Sequence, residues 1–127
     1  MKRSVAVVLI ALAFGLSACA TFQAYDGPAR PASEVAIIRG DAKLSGELPL
    51  ALVIRAVDGR AVDLRYSSVA VDRGHHLLII DCQVGGATGS TTRHHVEVDA
   101  GGGESYRLQA EMQPGNGACK RVYLEPS

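Results

Sequence analysis

An excess of either charge is missing from this sequence: thirteen Lys and Arg balance thirteen Asp and Glu over 127 residues. Without a net field, overall charge does not draw the chain to nucleic acid or to an anionic membrane surface. Long apolar runs are missing as well. Val5 to Phe14 is ten residues, half of the roughly 20 that a spanning helix needs. Catalytic signatures are also absent: there is no G-x-S-x-G elbow, P-loop, H-E-x-x-H or S-x-x-K. Asp, His and Ser occur without a spacing that singles out a triad. The reading is therefore of a chain that is not an enzyme, with no catalytic, cofactor-binding or metal-binding residue assigned. Tryptophan is absent and cysteine is held to three, whereas glycine reaches fourteen and hydrophobic residues 47%. That is the profile of one ordinary globular domain.

What is present begins at the N-terminus. Lys2 and Arg3 precede the run from Val5 to Phe14, and the small residues Ser17 and Ala18 close it before Cys19. A basic start, a short apolar middle and small residues at the end read as a secretory signal over 1–18. The run is apolar on every face and has no cap, which fits poorly with a buried amphipathic helix. Removing 1–18 leaves 109 residues with eleven basic and thirteen acidic side chains, a formal charge of −2. That length is near the commonest domain size and can bury one core.

Leu16-Ser17-Ala18-Cys19 resembles the lipobox of bacterial lipoproteins. The resemblance implies that the Cys19 thiol carries a diacylglyceryl group and that the cut falls just before it. It also implies that the new amine is acylated, for instance with palmitate. One acyl chain holds a protein only marginally, at about 0.8 kcal/mol per buried CH2, and two or more make a stable anchor. The next residue is Ala20, not Asp. By the sorting rule of enteric bacteria this resembles an outer-membrane lipoprotein facing the periplasm, rather than an inner-membrane one.

Thr21 to Ser33 contains Gly27, Pro28 and Pro31 and shows neither a strand nor a helix period. Residues 19–33 are therefore expected to be a lipid-anchored linker, reaching at most ~40 Å at about 3.1 Å per residue. The words Tyr25-Asp26-Gly27-Pro28-Ala29-Arg30-Pro31 and Glu34-Val35-Ala36 resemble an opening found among small, uncharacterised proteobacterial lipoproteins. So do the hairpin dipeptide Asp58-Gly59 and the segment Gly74-His75-His76-Leu77. The resemblance implies a small β-rich domain and carries no catalytic residues.

Residues 34–127 read as an all-β domain, a small antiparallel β-sandwich of about seven strands. Val35–Ile38 is a short apolar run after Pro31 and is expected at a sheet edge. Leu50–Val57 and Ala61–Tyr66 flank Asp58-Gly59, a strong hairpin signal, with Val62, Leu64 and Tyr66 expected on one face. Leu77-Leu78-Ile79-Ile80 is apolar on both faces, as a central strand would be. Arg93–Asp99, Ser105–Met112 and Cys119–Glu125 complete the set, the last with the charges and proline of a second protected edge. The glycine-rich loop at 85–89 and the turn at Gly101–Gly103 are long enough to contact a partner and read equally as idle connections.

Two histidine pairs, His75-His76 and His94-His95, invite a metal reading. Adjacent strand residues point to opposite faces, so neither pair can pinch an ion. A hairpin about the glycine loop would set His76 near Asp99 and hold the pairs on the order of 15 Å apart at ~3.3 Å per residue. Zinc needs ligand atoms within about 2.0–2.1 Å of one centre. His94 shares a face with Val96 and Val98 and is expected half-buried and hydrogen-bonded, with His95 and one of the first pair in solvent.

Cys82 and Cys119 are expected to form a disulfide, as two remaining thiols in an exported chain do. Closing 38 residues, 82 to 119 inclusive, contributes roughly 4 kcal/mol in the loop-entropy account. One feature opposes it: Cys119 shares strand parity with Arg121 and Tyr123, whereas Val122 and Leu124 look inward-facing, unless Cys119 sits in the turn ahead of the strand.

Two functional classes remain. One is a membrane-anchored, non-catalytic envelope module held by acyl chains on Cys19, with another envelope protein as a partner class and no role for nucleic acid. The alternative is a small periplasmic metal- or ligand-binding protein that uses the His-bearing strands.

Overall fold

The structure is a computed structural model and describes residues 21–45, 48–85, 89–115 and 117–127. The expected signal and lipobox, with Cys19, lie outside the described residues, as does most of the 85–89 loop. Ten strands are described: β1 (Thr21–Gln23), β2 (Val35–Arg39), β3 (Asp41–Ser45), β4 (Leu48–Val57), β5 (Arg60–Ala61), β6 (Ser68–Asp72), β7 (Gly74–Val84), β8 (Ser90–Ala100), β9 (Ser105–Met112) and β10 (Cys119–Pro126). One turn of 3-10 helix at Ala32–Glu34 precedes β2.

The strands form two sheets. The first has the order β1-β6-β2-β9-β10 and the second β3-β4-β7-β8, with β5 paired to β4. The pairs β1–β6 and β2–β9 are parallel and the remaining pairs are antiparallel. The expected all-β sandwich is what the chain builds, with one mixed sheet.

Period-two alternation puts one face of each sheet inside. Ala36 and Ile38 of β2, Val69 and Val71 of β6, and Leu108 of β9 face Leu52, Ile54, Leu78, Ile80, Val96 and Val98 across a single core. Leu78, Ile80, Ile38 and Leu108 are fully shielded from water. Burying side chains of this size stabilises the fold by about 1.5–3 kcal/mol each.

Several expectations are corrected. Val35–Ile38 is not an edge. Strand β2 lies between β6 and β9, and both of its faces are covered. Its inner face meets the core, and its outer face carries a second cluster of Tyr25, Val35 and Ala70, with Ile37 against it. The segment Ser68–Asp72, absent from the expected strands, is an internal strand, buried from Ser68 to Val71.

Residues 21–33 are in part structure rather than tether. Strand β1 pairs Thr21, Phe22 and Gln23 with Ser68, Val69 and Ala70. The Ala24 amide then donates to the Ala70 carbonyl at 2.9 Å. Tyr25, only 7% exposed, closes over the outer face of β2 and β6. Its hydroxyl accepts the Arg30 amide at 3.0 Å, and the Arg30 guanidinium lies 4.9 Å from its ring centroid. The prolines break periodicity without freeing the chain, because side chains on either side of them are held.

The Asp58-Gly59 hairpin forms with Val57 opposite Arg60 and Ala56 opposite Ala61. Both turn residues have positive φ, 50° and 81°, the backbone that this dipeptide favours. The second arm stops after Ala61. Val62 is buried and its amide donates to the Arg55 carbonyl, but the chain then leaves the sheet. Of the three side chains expected on one face, Leu64 is 66% exposed.

Candidate functional site

The Cys82–Cys119 disulfide joins β7 to β10, with Cα atoms 6.4 Å apart, inside the usual range for such a bridge. The parity objection is resolved by a β-bulge. Cys119 pairs with Met112 and Arg121 with Glu111, the next residue along, so Lys120 is the extra one. The bulge turns Cys119 inward, 3% exposed, while Arg121 stays on the outer face. Cys82 is wholly buried.

The histidines are separated, each with its own partners. The register sets His75 opposite Asp99, His76 opposite Val98, Ile79 opposite His95 and Ile80 opposite His94, one residue from the expected alignment. His76 is buried; its Nδ1 lies 2.6 Å from Asp58 Oδ2 and its Nε2 lies 2.8 Å from the Asp72 carbonyl oxygen. Both ring nitrogens are occupied by the frame of the fold. Asp58 also takes the Leu77 amide on Oδ1 at 2.8 Å. Partial burial works to raise the Asp58 carboxyl, but the bonds from His76 and Leu77 and the nearby imidazoles hold it below its ordinary value of 3.8.

His94 is half-buried, with Nε2 2.8 Å from Thr92 Oγ1, and His95 is exposed. Exposed His75 lies 3.0 Å from Asp99 Oδ1 and 3.7 Å from Glu97 Oε1. The Asp99 hydrogen bond above all, with Glu97 behind it, raises the His75 imidazole above 6.5. Among the described residues, no three His, Cys, Asp or Glu side chains converge on one point.

Asp81, on the outer face of the second sheet, is a buried carboxylate. Asp81 receives Arg93 Nε at 2.9 Å and Nη2 at 3.3 Å, with Arg55 Nε 3.5 Å away. This two-pronged pair sits on neighbouring strands at register partners and has a structural geometry, since both acids and bases are engaged. A polar cleft beside β6 is lined by Arg30, Glu34, Asp72 and Arg73. Arg30 pairs with Asp72 Oδ2 at 3.3 Å, and Asp72 Oδ1 is shut from solvent without a hydrogen-bond partner among the described residues. Two guanidiniums against two carboxylates leave the cleft without a field of either sign. The Gly101–Gly103 turn is not a free loop: a Cβ on Gly102 would lie 2.6 Å from the Ser33 carbonyl oxygen and from Arg73 Nε.

The remaining feature is the corner where the chain meets β1. Thr21 Oγ1 lies 2.9 Å from Ser68 Oγ, and the rings of Phe22 and Tyr66 sit 5.5 Å apart, tilted by 49°. The Tyr66 amide donates to the Asp63 carbonyl, closing a turn with Leu64 and Arg65 at its tip. Asp63 Oδ1 accepts the Arg65 amide at 3.1 Å. The Arg65 guanidinium lies 4.9 Å from the Tyr66 ring centroid and donates to its hydroxyl at 3.1 Å. Sequence alternation sets Leu64 on one face with Val62 and Tyr66; the signal against a continuous strand is Asp63 directly ahead of it, a residue that favours turns.

No protein family, curated protein or solved structure matches the chain.

Proposed function

We propose that this chain is a lipid-anchored envelope lipoprotein whose β-sandwich is a non-catalytic binding or support module. On this reading residues 1–18 are a signal peptide and Cys19 is the acylated first residue of the mature protein. Ala20 after the cysteine favours the outer membrane, with the domain facing the periplasm.

One observation supports it above the others. Lys2 and Arg3 stand ahead of the apolar run Val5–Phe14, and Leu16-Ser17-Ala18-Cys19 closes it, the order of a secretory signal ending in a lipobox. A buried disulfide suits an oxidising compartment. The titratable side chains favour support over chemistry. His76, His94, Asp58 and Asp81 are each bonded within the fold, which leaves the His-bearing strands a poor basis for metal binding.

Replacing Cys19 by Ala tests the reading. Loss of lipid labelling together with an uncut precursor is the expected result. Normal processing and unchanged membrane fractionation would overturn it. Deleting residues 34–127 while keeping the anchor is expected to abolish the cellular role.

A further inference from the structure

Single exposed leucines are common on protein surfaces and mean little alone. Leu64 differs by its place. It is 66% exposed, well above Leu77 and Tyr123 at 36% and 37%, and it caps a turn that projects beside the start of the folded chain. Strand β1 runs parallel to β6, with Thr21 opposite Ser68. Whatever precedes Thr21 therefore leaves from the same end of the sheet at which residues 63–67 arrive.

Only Ala20 stands between Cys19 and Thr21, and two residues extend at most about 7 Å. We propose that the Asp63–Tyr66 turn is a membrane contact, in which Leu64 enters the acyl boundary of the bilayer that holds the Cys19 lipid. The inference rests on acylation of Cys19. Given that anchor, the short connection keeps this corner near the bilayer surface, and Leu64 is the most exposed large apolar side chain among the described residues.

The turn is built to hold that pose. Phe22 braces Tyr66 from the β1 side, and Arg65 is laid over the Tyr66 ring. Asp63 is the one acid in the turn; it is engaged by the Arg65 amide and lies 3.8 Å from the Arg65 guanidinium, so no unpaired negative charge faces the lipid. Arg65, with 73% of its side chain exposed, is left at the level of the phosphates. An apolar tip with an adjoining cation is the pattern of interfacial contacts.

The test uses the full chain, processed in cells and reconstituted in phosphatidylethanolamine and phosphatidylglycerol vesicles. Leu64→Cys supplies one free thiol for an environment-sensitive dye, since Cys82 and Cys119 are bonded to each other. Glu97→Cys is the control. It is exposed on β8, an edge strand of the second sheet that lies beside β10, the edge of the first sheet opposite β1. A blue shift at position 64, with loss of emission to a quencher carried on the lipid and neither change at 97, is the expected result. Equal solvent exposure at both positions in protein whose mass shows acylated Cys19 would overturn the contact alone. A mass without acyl groups would overturn the anchor and the contact together.

Discussion

The tilted rings of Phe22 and Tyr66 meet 5.5 Å apart, fastening the third residue after Cys19 to the turn that feeds β6. The N-terminal segment is thus tied into the sandwich at its first strand, and Tyr25 extends the tie across the outer face. In the sequence only Ala20 stands between Cys19 and Thr21, the first residue of that strand.

Replacing Tyr25 by Ala should therefore cost stability. Its ring covers Val35, Ile37 and Ala70, and truncating a buried aromatic costs on the order of 2–4 kcal/mol at such a site. Urea unfolding should show a lower midpoint with an unchanged slope. A midpoint equal to that of the parent would mean that residues 21–33 behave as a free linker.

The disulfide depends on Lys120. Deleting that residue removes the bulge, so either Cys119 or the Arg121 side must turn to the wrong face. Free-thiol titration in denaturant should find none in the parent protein and two in the deletion variant. Losing the bridge should lower stability by about 2–5 kcal/mol. Retention of the bridge in the variant would show that the bulge is not what orients Cys119.

Two groups contribute to the pH dependence of stability in opposite senses. The folded Asp58 carboxyl lies below its ordinary 3.8, so its contribution is present above that value and lost as pH falls through the lower folded one. The folded His75 imidazole lies above 6.5, so its contribution is full below that value and lost as pH rises through the folded one. The melting temperature should be highest between these limits. Asp58→Asn should flatten the acid side and lower the plateau by about 1–3 kcal/mol, because buried His76 loses an acceptor. His75→Gln should flatten only the alkaline side, by a small amount for so exposed a residue.

The sandwich was legible where structure is local. Asp58-Gly59 sets its own turn, and the alternation of Ser105–Met112 marks its own buried face. The apolar run Leu77–Ile80 reads correctly as a central strand. Val35–Ile38 has the same two-sided pattern, yet the nearby Pro31 suggested an edge. What covers its outer face is Tyr25, and that contact between distant turns of the chain has no periodic signature. Strand β1 is three residues long and takes its partner from β6, forty-seven residues on, so no local pattern announces it. The parity of Cys119 was hidden by one inserted residue.

The central claim is that Cys19 is the lipid anchor and the first residue of the mature protein. The most direct measurement is the intact mass of the protein extracted from membranes, followed by fragmentation of its N-terminal peptide. The account predicts a chain starting at Cys19 with acyl groups on that residue. A chain that keeps residues 1–18, or that begins elsewhere with an unmodified Cys19, would contradict it.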